Sequence, residues 1–113
     1  MILVAERLYT EEEYLELEER SAERHEYVDG TLRLMAGTTE EHNDVVQNFV
    51  LKLTGIARQK DCRLRVENVR LRLPLGSKRR YYYPDVVIVC GPKSSEKRII
   101  ENPCFVAEVL SES

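Results

Sequence analysis

Tryptophan is absent from this sequence of 113 residues, which contains only five glycines, four prolines and three cysteines. The scarcity of glycine and proline excludes collagen-like and low-complexity chains. No apolar run approaches the roughly 20 residues of a membrane-spanning helix, and the opening run from Met1 to Ala5 is too short for the core of a signal peptide. With 42% hydrophobic and 33% charged residues, the chain has the size and composition of a single globular domain over residues 1–113.

The three cysteines, Cys62, Cys90 and Cys104, show no C-x-x-C spacing, and an odd number cannot be fully paired within one chain. We therefore expect buried free thiols, and with them a cytoplasmic location, because a reducing compartment keeps thiols unpaired. A zinc site is not expected, because neither of the two histidines stands at ligand spacing from a cysteine.

The net charge of −3 hides an uneven distribution of charged residues along the chain. Residues 1–48 carry 13 acids and four bases, a balance of −9, whereas residues 49–113 carry seven acids and 13 bases, a balance of +6. The basic second part could bind phosphate groups. The alternative is that the two parts are solvated faces that attract each other within or between chains.

Two helices are predicted in the acidic first part. A capping box at Thr10-x-x-Glu13, with glutamates crowding the first turn, indicates a helix that runs to about Arg20 or Glu23. A second helix is predicted to begin near Thr38 or Thr39: Thr38-x-x-Glu41 is another capping box, and a broad apolar stripe at helical spacing follows it. This pattern predicts a long second helix that ends at about Gln59.

Strands are predicted on both sides of the second helix. Asp29-Gly30 is a strong hairpin signal, and arginines alternate with apolar residues between Arg63 and Leu73, which is the period of a strand or a bent pair of strands. Together the elements predict an α+β domain with a mixed β-sheet flanked by helices. The expected strands are His25–Val28, Thr31–Met35, the alternating stretch, Tyr83–Cys90 and a buried last strand, Cys104–Leu110.

Two carboxylates stand inside these apolar strands, where an ionised side chain is costly unless it has a partner or a metal. Asp85 follows Pro84 at a strand start, and Glu108 lies within the last strand. If the two strands are neighbours, both carboxylates can hold one hard divalent cation, Mg²⁺ or Mn²⁺. A metal ion with basic residues nearby can catalyse the hydrolysis of a phosphodiester bond. The alternative is that each acid pairs with an arginine.

Four further features are candidates for a functional role. Glu26 could supply another ligand or position a water molecule, and Glu67 is a weaker candidate at the bend between two strands. His42, at the start of the long helix, could be a general base, a phosphate contact or a packed histidine. Lys78-Arg79-Arg80, followed by three tyrosines, combines charge with aromatic faces, as nucleic-acid-binding surfaces do. Short basic runs beside a turn are also often only solvated.

Pro84-Asp85, followed 23 residues later by Glu108, resembles the PD-(D/E)-x-K signature of the restriction-endonuclease-like superfamily. Within that superfamily the chain is most similar to a bacterial family of inferred endonucleases of unknown function that is expanded as many paralogues. The resemblance covers nearly the whole chain in the right order. The matching stretches are His25–Gly30, Met35-Ala36-Gly37, His42, Tyr83–Val89 and Glu108–Ser111.

The resemblance implies a restriction-endonuclease-like fold, metal ligation by Asp85 and Glu108, Glu26 as an accessory catalytic acid, dependence on Mg²⁺ or Mn²⁺, and a homodimer. It leads us to expect an endonuclease that hydrolyses nucleic acid, with DNA as the substrate and Lys78-Arg79-Arg80 as contacts. Leu110 stands where the superfamily has its lysine, and the family places a lysine on a later helix. We therefore expect the N-terminal part of a longer protein. The alternative is a catalytically inactive module for nucleic-acid binding or dimerisation.

Overall fold

The structure is a computed structural model that describes residues 7–110. The predicted α+β class with a mixed sheet is confirmed. Two stretches discussed above lie outside the described residues: the opening run from Met1 to Ala5, and Ser111, the last residue of the stretches that carry the family resemblance. The elements are α1 (Glu11–Arg20), β1 (His25–Val28), β2 (Thr31–Leu34), α2 (Glu40–Gln59), β3 (Arg63–Val66), β4 (Arg70–Leu75), β5 (Lys78–Tyr82), β6 (Val86–Val89), β7 (Ile99–Ile100) and β8 (Pro103–Ala107).

The chain divides into two compact units, Met1–Gly37 with Arg72–Tyr82, and Thr38–Leu71 with Tyr83–Ser113. Strand β4 begins in the second unit and continues in the first. The expectation of one domain over residues 1–113 stays a prediction. Neither helix of the described chain has the length and apolar character that a membrane span needs.

The first unit begins with the capping box that the sequence predicts. The Glu13 N–H donates to the Thr10 hydroxyl at 3.1 Å, and the Thr10 N–H donates to the Glu13 carboxylate at 2.9 Å. These bonds satisfy backbone donors that have no partner inside the helix. The predicted hairpin is also confirmed, since β1 pairs antiparallel with β2 across Asp29 and Gly30, both of which have positive φ angles of 51° and 86°.

A cluster of three tyrosines forms the core of the first unit. The Tyr14 ring lies 5.0 Å from the Tyr27 ring and 5.1 Å from the Tyr81 ring, measured between centroids. The Tyr81 hydroxyl donates to Glu11 at 2.6 Å and accepts from the Arg72 Nε at 2.8 Å. Burial, with Glu11 as hydrogen-bond acceptor, raises the pKa of Tyr81 to about 12. The neutral phenol is therefore the form that this core accommodates.

The second unit packs α2 against the antiparallel sheet β3-β6-β8. Strand β6 is central, and its valines at 86, 87 and 89 are at most 2% exposed, which explains the uninterrupted β-branched sequence. The first two residues of β4 pair in parallel with β7. Of the two predicted starts of α2, Thr39 is the N-cap, because its hydroxyl, and not that of Thr38, accepts the N–H of residue 42.

Lys78-Arg79-Arg80, which follows the predicted turn, begins β5, and Lys78 and Arg79 are exposed. Two sequence-based expectations about the second half are wrong. The last strand is not buried, since Phe105 is 39% and Val106 is 43% exposed on β8, at the edge of its sheet. The cysteines are not all free and buried: Cys62 is disulfide-bonded to Cys90, and Cys104 is an exposed free thiol. Sequence spacing hid the pairing because β3 and β6 are antiparallel neighbours.

Candidate metal centre

Asp85 is held rigidly at the start of β6. Pro84 before it and Val86 after it are both fully buried, and the Asp85 side chain is 16% exposed. Its Oδ2 accepts the backbone N–H of Val109 at 2.7 Å. A hydrogen bond from the backbone to a charged carboxylate is strong and fixes its orientation. Asp85 directly precedes β6, whereas the sequence predicts a strand from Tyr83 to Cys90 that contains it.

Glu67 is brought beside Asp85 by a tight bend after β3. Its φ angle is +46°, and the Asn68 N–H closes the bend on the carbonyl of Val66 at 2.6 Å. The Glu67 N–H donates to the carbonyl of Asp85 at 3.3 Å. A residue other than glycine in this left-handed region is strained by about 1–3 kcal/mol, and such strain is concentrated at functional sites.

His42 reaches the same place from the first turn of α2. Its backbone N–H is fixed by the hydroxyl of Thr39 at 3.1 Å, and its Nε2 lies 3.1 Å from Asp85 Oδ2. The imidazole is 9% exposed, and its Nδ1 is buried with no hydrogen-bond partner among residues 7–110. The contact with Asp85 therefore anchors the ring at one nitrogen only.

We call these three side chains the His–Glu–Asp cluster: His42, Glu67 and Asp85. One ligand atom from each lies within 4.8 Å of the others. Carboxylate oxygens suit Mg²⁺ and Mn²⁺, and an imidazole nitrogen extends the range to borderline divalent ions. The residues present therefore fit a divalent cation. The sequence alone indicates Glu67 only weakly as a ligand and His42 only as an accessory residue. Their proximity to Asp85 depends on the pairing of strands, which the sequence does not show.

Glu108 and Glu26, the other predicted catalytic acids, lie outside this cluster. Val86 pairs with Ala107 at the end of the antiparallel β6–β8 ladder, so Asp85 directly precedes β6 and Glu108 directly follows β8. The prediction that Glu108 lies within the last strand is therefore wrong by one residue. The Glu108 side chain is exposed, and it already has an interaction partner. Glu26 lies on β1 of the first unit, 3.6 Å from Arg33 in an ion pair. The roles of both acids stay predictions.

The predicted nucleic-acid contacts also lie in the first unit, at the start of β5. The Arg79 Nε is 2.8 Å from a Glu11 carboxylate oxygen, and Arg80 binds Asp29 at 2.9 Å. Lys78 has no carboxylate partner among residues 7–110. Two of the three positive charges are therefore already neutralised within the unit, which weakens them as phosphate contacts.

Residues 11–113 match the profile of a family, Uma2, whose description is "Putative restriction endonuclease". The chain belongs to the Uma2 family. Its membership confirms the resemblance to restriction-endonuclease-like proteins, and with it the fold that the α+β structure shows. Enzymes of this class generally use divalent metal ions and act on nucleic acid, which agrees with the donor set of the His–Glu–Asp cluster.

Two relatives of this Uma2 chain are uncharacterized proteins of Synechocystis sp. The protein slr1290 is 34% identical over 103 residues, which cover 90% of this chain and 53% of slr1290. The protein sll1609 is 29% identical over 116 aligned positions, which cover 100% of this chain and 64% of sll1609. The chain thus spans between about half and two thirds of the length of these relatives. No solved structure matches it significantly.

Proposed function

We propose that the protein is a metal-dependent endonuclease that hydrolyses phosphodiester bonds of DNA, with Mg²⁺ or Mn²⁺ at the His–Glu–Asp cluster. The observation that carries the proposal is the convergence of an imidazole and two carboxylates within 4.8 Å in a member of the Uma2 family. The bound cation would stabilise the charge that develops at phosphorus and lower the pKa of the attacking water.

The side chains of the cluster have different tasks in this proposal. Asp85 offers its Oδ1 to the cation, because its Oδ2 is engaged by Val109 and His42. Glu67 offers the second carboxylate, held close by the bend that follows β3. His42 orients Asp85 through the 3.1 Å contact. Glu108, which directly follows β8, is proposed to enter as a further ligand when the cation and the substrate are bound.

The remaining predicted parts are also included in this proposal. Glu26 is an accessory acid, and Lys78, Arg79 and Arg80 contact backbone phosphates, with Lys78 contributing most because it lacks a carboxylate partner among the described residues. A homodimer is the expected state of the protein. The cytoplasmic location stays a prediction without the support of free thiols, because Cys62 is bonded to Cys90.

Metal binding and DNA cleavage by the intact protein test the proposal. We expect Mn²⁺ to bind in calorimetric titration and plasmid DNA to be nicked in Mg²⁺. Glu67→Gln should abolish both, because it removes one anionic ligand and hardly changes the side-chain volume. Glu23→Gln, in an exposed carboxylate outside the cluster, is the matched control. Cleavage of RNA instead of DNA would correct the substrate.

An inactive nuclease-fold module is the second candidate, favoured by Leu110 at the position where the superfamily has its lysine. Position 110 therefore supplies no positive charge that could stabilise the transition state. An intact protein that binds DNA but cleaves neither DNA nor RNA in Mg²⁺ or Mn²⁺ would establish this candidate and refute the enzyme.

A further inference from the structure

The second unit contains a cavity of about 350 Å³ beside β3, and its wall is rich in cations. It is lined by Arg63 and Arg65 of β3 and by Lys93 and Lys97 of the segment between β6 and β7. Two carboxylates, those of residues 96 and 101, also line it. Cations therefore outnumber carboxylates four to two around a space large enough for a phosphate group.

The four cations are not neutralised by ion pairs within the described chain. No carboxylate of residues 7–110 pairs with them. Arg63 donates one N–H to the carbonyl of Gly91 at 2.8 Å, and Arg65 donates one to the carbonyl of Leu64 at 2.9 Å. A guanidinium group has five N–H donors, so most of them stay available. Glu96 and Glu101, in contrast, are each already engaged.

Strand β3 connects this cavity to the His–Glu–Asp cluster. Arg63, Arg65 and Glu67 follow each other at alternate positions of one segment. Residues two apart along a strand are separated by about 7 Å, so the two arginines form a row along β3. Glu67 directly follows this strand, at its bend.

We infer that this basic cavity binds phosphate groups of a nucleic-acid backbone and positions the strand that the cluster cleaves. The inference rests on the proposed function and goes beyond it, because it adds four backbone contacts: Arg63, Arg65, Lys93 and Lys97. Arginine suits this role because its planar guanidinium group binds phosphate oxygens in pairs. The two lysines add point charges to the lining of the cavity.

Salt-dependent binding of a short DNA duplex to the intact protein tests the inference, measured by fluorescence anisotropy without divalent cations. Each neutralised phosphate contributes about −0.9 to the slope of log K against log salt. The double variants Arg63→Gln/Arg65→Gln and Lys93→Gln/Lys97→Gln should each reduce the slope by about two. The control Lys52→Gln/Lys60→Gln removes two exposed lysines outside the cavity and should leave the slope unchanged. Urea unfolding of every variant verifies its fold.

The outcomes separate this inference from the proposed function. If the cavity variants bind DNA with the wild-type slope while the wild type cleaves in Mg²⁺, the inference is wrong and the enzyme stands. If the wild type neither binds nor cleaves nucleic acid, the proposed function fails and the inference falls with it. Inorganic phosphate should compete with the duplex. A different pair of results would identify a free-anion site and overturn the assignment to nucleic acid. In that case, phosphate raises the melting temperature only of proteins that retain the two arginines, and replacing the arginines leaves DNA binding unchanged.

A second, independent observation concerns the three sulfur atoms, which lie within 4.8 Å of one another. Cys62 precedes β3, Cys90 follows β6, and Cys104 lies on β8. The Cys62–Cys90 bond leaves Cys104 as a free thiol whose Sγ is 2.8 Å from the Sγ of Cys90. An exposed thiol beside a disulfide is the arrangement that thiol–disulfide exchange needs.

We propose that Cys104 exchanges with this disulfide. The Cys104 thiol gives its proton to water, its thiolate attacks the Sγ of Cys90, and a Cys90–Cys104 bond forms as the Cys62–Cys90 bond breaks. Cys62 leaves as a thiolate and takes a proton from water. The number of disulfides and of protons is conserved, so no oxidant or reductant is consumed. The disulfide thereby moves from the β3–β6 pair to the β6–β8 pair. The free thiol is then the buried Cys62 instead of the exposed Cys104.

Peptide mapping of the intact protein tests this exchange. After incubation at pH 8.5, acid quenching and alkylation, we expect both Cys62–Cys90 and Cys90–Cys104 peptides by mass spectrometry. Cys104→Ser should retain only the first pair. A wild type that contains Cys62–Cys90 alone, with Cys104 fully alkylated, would overturn the exchange. A purified protein that holds one zinc ion on the sulfur atoms of its three cysteines would also overturn the exchange, because a metal site would then explain why these atoms lie close together.

Discussion

Replacing Asp85 by asparagine and by alanine separates its structural role from its role as a metal ligand. Oδ2 accepts the Val109 N–H at 2.7 Å and contacts His42 Nε2 at 3.1 Å. Asparagine retains a carbonyl oxygen that can accept both bonds but removes the negative charge. Alanine removes the bonds as well and leaves two nearly buried polar groups without this partner.

The expected magnitudes follow from these two contacts. Hydrogen bonds to charged groups contribute about 1.5–3 kcal/mol each. Because the Asp85 side chain is 16% exposed, we take the lower value for both and expect Asp85→Ala to reduce the free energy of unfolding by about 3 kcal/mol. Asp85→Asn should lose no more than about 1 kcal/mol, since it exchanges charged for neutral hydrogen bonds.

Urea unfolding and Mn²⁺ calorimetry on the same samples make the comparison. The expected pattern is a stable Asp85→Asn protein that no longer binds Mn²⁺ and an Asp85→Ala protein that is unstable and also fails to bind. The reasoning about the metal is refuted if Asp85→Asn gives the wild-type isotherm. The reasoning about stability is refuted if Asp85→Ala unfolds at the wild-type urea concentration.

Three further predictions concern other parts of the chain. Because burial raises the pKa of Tyr81 from 10 to about 12, the free energy of unfolding should fall as the pH rises through that interval; a Tyr81→Phe protein with the same fall would contradict this. Glu67→Gly should relieve the left-handed φ of +46° and keep stability within about 1 kcal/mol while Mn²⁺ affinity is lost, as calorimetry and urea unfolding can verify. Light scattering should show a homodimer that Phe105→Ser/Val106→Ser converts to a monomer, and a monomeric wild type would disprove it.

The sequence predicted those parts of the fold that local physical chemistry determines. The Thr10–Glu13 capping box and the Asp29-Gly30 turn are confirmed because both depend on bonds between residues at most three positions apart. The buried strand that Asp85 directly precedes is confirmed for the same reason, since Pro84 and the following valines define that strand.

The features that the sequence did not predict depend on contacts between distant segments. Glu67 reaches the cluster only because its backbone bonds to Asp85, 18 residues later. Cys62 meets Cys90 at a separation of 28 residues because β3 and β6 run antiparallel. The burial of β8 was overestimated because its apolar sequence does not reveal its place at the edge of a sheet. Periodicity describes one element, whereas these features require the pairing of several.

The side chains of the His–Glu–Asp cluster come from a helix start, a strand bend and a strand start, and this origin couples ion binding to folding. An unfolded chain separates these three side chains, so a cation at the cluster binds the native state alone. Ion binding then raises the free energy of unfolding by RT ln(1 + [ion]/Kd), which is about 2.7 kcal/mol at a concentration of 100 Kd. Thermal unfolding can therefore be used to titrate the site. Once the ion concentration exceeds the Kd, the melting temperature should rise with the logarithm of that concentration.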